Sequence, residues 1–144
     1  HRLDPEKQPQ LFDRLAVMLR FDYPNWKFIK TKEVCKNKKE YYDLLNKAKI
    51  AVSFAKQETF GIAMLESLFC GCIPVVPDRL SYSELFANNI FLRHDDADVI
   101  SFVEKLLSNS DTFYIASEQA KVHARDFAKP YCESAISKIL EVIK

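Results

Sequence analysis

A chain of 144 residues, 48% hydrophobic and 28% charged, is expected to fold as one globular domain over residues 1–144, which excludes disordered, collagen-like and coiled-coil classes. Its 21 basic and 20 acidic residues leave a net charge of +1, without the footprint that dominates nucleic-acid affinity, so no nucleic-acid partner is expected. No apolar run nears the roughly 20 residues of a bilayer-spanning helix, and the first residues are charged where a signal peptide is apolar, so neither a membrane span nor export is expected.

Leu11, Leu15, Met18 and Leu19 repeat at helical spacing behind Pro9, which predicts an amphipathic helix over 9–21 that Pro24 ends. The aromatic and β-branched run Trp26-Lys27-Phe28-Ile29 predicts a first strand, followed by a polar basic loop. Residues 1–49 carry twelve basic and seven acidic side chains, and the lysines around Lys30 to Lys39 read as a solvated basic surface. Tyr41, Leu44, Leu45 and Ala48 mark a short helix. Ile50 to Phe54 shows little polar alternation and predicts a strand buried on both faces, as in a parallel sheet.

Helical spacing returns with Ile62, Leu65, Leu68 and Phe69, and Gly71 stands where a left-handed residue closes a helix. Ile73-Pro74-Val75-Val76 predicts the next strand, its proline tolerated near the start, and Ile90-Phe91-Leu92 one more. Asp95 offers an N-cap to a helix striped by Val99, Phe102, Val103 and Leu106, with further helices at about 111–128 and 131–143. Strands alternating with helices predict an α/β fold, a Rossmann-like three-layer sandwich with a parallel sheet. The cysteines Cys35, Cys70, Cys72 and Cys132 lack the paired spacing of a zinc site; Cys70 and Cys72 read as small buried thiols, pointing to a cytoplasmic setting.

Gly61 and Gly71 are the only glycines, which excludes the glycine-rich dinucleotide and P-loop phosphate motifs. Attention falls on Glu58 to Glu66, which leads from a buried strand into a helix, the place where open α/β sheets bind ligands. Backbone N–H groups around Thr59, Phe60, Gly61 and Ile62 can hold an anion, and Gly61 lets a ligand approach. Glu58 and Glu66 lie at different heights, suited to accept hydrogen bonds from sugar or ribose hydroxyls. The same spacing also suits a plain helix-terminal charge at Glu58 and a surface residue at Glu66. His94 and His123 read as surface histidines.

The stretch from Glu58 through Glu66 and on to Cys70-Gly71-Cys72-Ile73-Pro74-Val75-Val76 resembles the E-x7-E region of the retaining family 4 glycosyltransferases (glycosyltransferase group 1). Arg2-Leu3-Asp4-Pro5-Glu6-Lys7 resembles that family's G-R-x-x-x-x-K segment. The resemblance implies the C-terminal, donor-binding half of a two-domain GT-B fold, whose N-terminal acceptor-binding half lies elsewhere and would carry any peripheral membrane contact. It implies a nucleotide-diphosphate sugar as donor, with no cofactor and no metal. Arg2 and Lys7 would hold the diphosphate, Glu66 the ribose, Glu58 the transferred sugar, and the backbone of Thr59, Phe60, Gly61 and Ile62 the rest; Glu58, Arg2 and Lys7 would be catalytic. Alone, the chain is expected to bind donor without turnover. It departs from the pattern in having His1 where a glycine is usual, no strand just before Arg2, and Lys30-Thr31-Lys32 in place of a glycine-rich turn. A nucleotide-sugar epimerase or phosphorylase of the same architecture, or a non-catalytic α/β interaction module with a decayed pocket, are the competing readings.

Overall fold

A computed structural model describes residues 7–56 and 60–128. Helix α1 (Pro9–Arg20) starts on its proline and buries Leu15, Ala16 and Leu19, leaving Met18 of the expected stripe exposed. Trp26 to Ile29, where a strand is expected, belongs to no ladder, and the loop after it contains the short helix α2 (Thr31–Val34). Aromatic and β-branched composition favours an extended chain, but a strand needs a partner for its backbone groups, and no described strand offers one. Helix α3 (Lys38–Lys47) is fixed at its start by a reciprocal cap: Asn37 Oδ1 accepts from Glu40 N–H at 2.9 Å, and Glu40 Oε2 accepts from Lys36 N–H at 2.6 Å.

Strand β1 (Ile50–Val52), helix α4 (Ile62–Phe69), strand β2 (Ile73–Pro77), helix α5 (Tyr82–Leu85) and strand β3 (Leu92–Arg93) follow. The long helices α6 (Asp96–Ser108) and α7 (Ser110–Ala128) complete the described chain. Gly71, at φ +95°, closes α4 as its position predicts, with Cys72 N–H reaching back to Ser67 O at 3.0 Å. Asp95 caps α6 by accepting from Asp98 N–H at 2.8 Å. The helix expected over 131–143 lies outside the described residues.

The sheet order is β1-β2-β3, all parallel, with Ile50 opposite Ile73 and Val76 opposite Leu92. Pro74 sits in the middle strand without loss. Val76 N–H donates to Phe91 O and Asp78 N–H to Arg93 O, so even-numbered amides of β2 face β3. Pro74 is the even position before that ladder begins, where no donor is called for. The strands and their connections form a Rossmann-like α/β domain. Helices α4, α6 and α7 pack on β2, and the fully buried Tyr82, Phe86 and Phe91 lie in the core they enclose.

Burial is not uniform across the sheet. All five residues of β2 are buried, whereas Ile50, Ala51 and Val52 of β1 are only partly so, against the expectation of a strand covered on both faces. Only Ser53, Phe54 and Ala55 beyond it are buried. The cause is the absence of a described strand on the far side of β1. There a cavity of about 600 Å³ is bounded by Phe12 and Leu15 of α1, by Phe28, and by the edge of β1 itself.

Candidate functional site

Because the three strands run the same way, the segments leaving their C-terminal ends share one rim of the sheet. Ser53 to Lys56 leave β1, Asp78 and Arg79 leave β2, and His94 to Asp96 leave β3. Helix α4 begins at the same rim. Its N-cap is Gly61, left-handed at φ +65°, with no side chain to cap the first turn and no acidic residue within that turn. The leading amides of a helix have no acceptor inside it, so this end carries partial positive charge.

A polar network fixes the residues directly after β1. Arg79 donates from Nε to Ala55 O at 2.8 Å, and from Nη2 to Phe54 O at 2.8 Å and to Asp96 Oδ1 at 2.9 Å. Gln8, buried and left-handed at φ 50°, donates through Nε2 to the same Phe54 O at 2.7 Å and to Asp96 Oδ2 at 3.2 Å. Ser53 Oγ bonds Tyr82 Oη at 2.8 Å and accepts from Ala55 N–H at 3.2 Å, pinning α5 to the end of β1. Thus β1, β2, α1, α5 and α6 all meet at Phe54 and Ala55. None of Gln8, Arg79, Asp96 or Tyr82 is distinguished in the sequence by spacing or motif, since the network is assembled from five separated segments.

The expected site residues divide into four groups. Arg2, Glu58 and Thr59 lie outside the described residues. Lys7 is half-buried next to the anchored Gln8 and lines the cavity beside β1, near Phe54. Phe60 and Ile62 are exposed at the start of α4, with buried Gly61 between them. A Cβ on Gly61 would meet Leu85 Cδ1 at 2.6 Å and Ser81 Oγ at 3.3 Å. The close approach this glycine permits is therefore, on its Cβ side, the approach of α5 rather than of a ligand.

Glu66 lies one turn further along α4 and turns towards α3, its side chain only 15% exposed. Lys38 Nζ stands 3.9 Å from its Oε1, and Tyr41 and Tyr42 lie on the same face of α3 as Lys38. Burial first, and the neighbouring Glu66 charge second, raise the Tyr41 hydroxyl well above the usual phenol range. The same two causes raise the Cys70 thiol. Cys72 is fully buried, donates to Leu45 O at 3.3 Å, and has its thiol pushed up to about 12, chiefly by burial. It is the inert buried thiol that its surroundings in the sequence predict; Cys132 lies outside the described residues.

His94 is exposed, as expected. His123 is half-buried rather than simply a surface group: it packs against Phe86, Phe91 and Phe127, and its ring nitrogens bond Leu85 O and the Asn89 side chain. Helix α7 carries it inward because Ala120 and Ala116, one and two turns earlier, bring that face against the core. Among the described residues, no group of three or more His, Cys, Asp or Glu side chains could hold a metal ion. No described helix is long and apolar enough to cross a membrane.

A parallel sheet with a helix starting at the C-terminal rim of its strands makes this a Rossmann-like α/β domain. The family model for glycosyl transferases group 1 matches residues 27–122, and the chain belongs to that family. A tRNA-queuosine alpha-mannosyltransferase from Drosophila melanogaster is 45% identical over 49 residues, covering 34% of this chain. That stretch spans 13% of the relative's own length. No solved structure matches the chain. The family match includes Glu58 through Glu66 and leaves Arg2 and Lys7 outside it.

Proposed function

We propose that this chain is the donor-binding half of a retaining glycosyltransferase of GT-B architecture. It would take a nucleotide-diphosphate sugar and transfer the sugar to an acceptor held by another part of the protein. The observation that carries this reading is helix α4, which starts behind Gly61 at the sheet's C-terminal rim and carries Glu66, in a chain that belongs to glycosyl transferases group 1. Lys7, with Arg2, would neutralise the departing diphosphate together with the amides around Thr59, Phe60, Gly61 and Ile62. The charge on that leaving group grows as the anomeric C–O bond breaks, so these groups favour the transition state over the bound donor. Glu58 would accept from hydroxyls of the transferred sugar and Glu66 from the ribose. Attack of the acceptor from the leaving group's own face retains configuration at the anomeric carbon.

The relative's name supplies a more specific acceptor. We infer that the acceptor is a tRNA carrying queuosine and that the transferred sugar is mannose, on the strength of the 45% identity over 49 residues. Near-neutral overall charge argues against a nucleic-acid partner, but the exposed Lys27, Lys32, Lys36, Lys39, Lys47 and Lys49 concentrate positive charge in one third of the chain. Exposed lysines of this kind contact phosphates without reading sequence.

Incubating the complete protein with UDP-, GDP- and ADP-sugars and with tRNA containing or lacking queuosine tests both statements. Sugar transfer to queuosine-containing tRNA alone, with the donor's anomeric configuration kept in the product, is expected. Glu66→Ala and Lys7→Ala should each weaken donor binding by about 10- to 100-fold, the cost of a charged hydrogen bond. Free sugar phosphate or an epimerised donor would support the phosphorylase or epimerase reading instead.

A further inference from the structure

Charge is divided unevenly between the two halves of the described chain. Residues 7–56 carry twelve basic and five acidic side chains, and residues 60–128 carry five basic and ten acidic ones. The basic groups also differ in what they touch. In the second half Arg79, Arg93 and Lys121 are joined to Asp96, Asp98 and Glu118. In the first, Lys30 takes up both Asp13 and Glu33, and Glu40 accepts from Lys36 N–H, so few carboxylates are left for the other lysines.

The cavity beside β1 gathers four of these lysines in one place. Lys27, Lys32, Lys47 and Lys49 line it, all are exposed, and none has an ion pair among the described residues. No Asp or Glu is among the described residues around it. Lys49 marks the N-terminal end of β1, where its carbonyl accepts from Ile73 N–H at 2.9 Å, and Lys27 adjoins Phe28 in the wall. The walls include Phe12, Leu15 and Phe28, and apolar walls of low dielectric concentrate the field of charges at an opening. Beyond Lys32 the basic surface continues through exposed Lys36, Lys38 and Lys39 to the start of α3. There Lys38 Nζ lies 3.9 Å from Glu66 of α4, so positive charge extends from the cavity mouth to the helix that begins at the rim.

Like charges held together without counter-charges repel, and a polyanion that covers them gains by releasing its own counterions. We propose that this lysine track, with Lys27, Lys32, Lys47 and Lys49 around the cavity and Lys36 and Lys39 beside Glu66, binds the phosphate backbone of the acceptor RNA. An ammonium meets a phosphate as a point charge and reads no base, so the track holds the RNA alike with or without its modified nucleoside. The inference rests on the reading of the acceptor as a tRNA.

Fluorescence anisotropy of labelled tRNA with the complete protein, repeated over a range of salt concentrations, tests the track. Replacing Lys27 and Lys32 together by Gln, or Lys47 and Lys49 together, should lower the slope of log K against log salt by about 1.5 for each pair. At ~0.1 M salt that is roughly 30-fold in affinity. The loss should be equal for tRNA containing and lacking queuosine, with the thermal midpoint of the protein unchanged. Lys105→Gln combined with Lys121→Gln, in the acidic half, should alter neither slope nor affinity. If the wild type binds tRNA and both lysine pairs keep its affinity and slope, the track is overturned and the tRNA reading stands. A loss confined to tRNA containing queuosine, or lysine-dependent binding to phosphatidylserine vesicles with tRNA binding unaltered, overturns the track as well. A wild type that binds neither tRNA overturns the acceptor reading and the track with it.

Discussion

Strands β1 and β2 look alike as sequence and differ as structure. Both are short apolar runs, yet Val75 and Val76 of β2 are fully buried while Ile50, Ala51 and Val52 of β1 are partly exposed. The middle strand has a ladder on each side and helices α4, α6 and α7 against it; among the described residues β1 has one ladder and, on its other flank, a cavity of about 600 Å³. An apolar run therefore dictates that a strand forms, whereas the depth of its burial is set by neighbours that the run itself does not encode.

The sharpest way to break this contrast is to truncate a side chain in each region. Phe86 is fully buried and touches the rings of Tyr82, Phe91 and His123. Phe86→Ala should cost about 3 to 5 kcal/mol, and Val52→Ala at the half-covered strand about 1 kcal/mol or less. Urea denaturation of both variants measures the gap, and equal losses would mean that β1 is as tightly packed as β2.

The rim network comes next in size, because it ties the two regions together. Arg79→Ala leaves Phe54 O, Ala55 O and Asp96 without the guanidinium, and should cost about 2 to 3 kcal/mol. Arg79→Lys should recover little, since a single ammonium cannot span three acceptors placed for a planar fork. Smaller again is Gly61→Ala, at about 1 to 2 kcal/mol. An alanine there meets a left-handed backbone and pushes the Leu85 methyl aside. A neutral result would show that α5 moves away freely from the start of α4.

What the sequence made legible follows the range of the interactions involved. Pro9, Gly71 and Asp95 act within one helical turn of themselves, and each opens or closes the helix its position predicts. Trp26 to Ile29 has the composition of a strand but no ladder, because pairing is decided by a partner remote in the chain. The candidate site divides in the same way. Segment Phe60 to Glu66 could be found from its motif and from the strand-to-helix passage it occupies. Gln8, Arg79 and Asp96 could not, since they converge across separations of 17 to 88 residues. Nor could the approach of Lys38 on α3 to Glu66 on α4, which joins two separate helices. His123 departs from its expectation for a related cause: a polar residue in a long helix gives no sign that three phenylalanine rings will pack against it.

The smallest expected effects separate the two regions by pH. On the β2 side, Asp98 accepts from Arg93 Nε and Nη2, both at 3.1 Å, and from His94 N–H at 2.8 Å. Burial alone would raise this carboxyl, but the bonds from Arg93 and His94 outweigh it and hold it below the usual range. A depressed folded-state pKa contributes stability above the unfolded value of about 3.9 and loses it as pH falls through the folded value. On the β1 side, Lys30 joins Asp13 of α1 at 2.8 Å and Glu33 of α2 at 3.0 Å, and these bonds raise its ammonium. The sign is opposite: that contribution is complete below the unfolded value of about 10.4 and disappears as pH climbs through the higher folded value. Asp98→Asn should thus flatten only the acid limb of a stability profile followed by thermal melting, and Lys30→Gln only the alkaline limb. If either substitution altered both limbs, the two flanks of the sheet would be unfolding as one unit through the network at Arg79, and the contrast between β1 and β2 would be one of packing without any independence in stability.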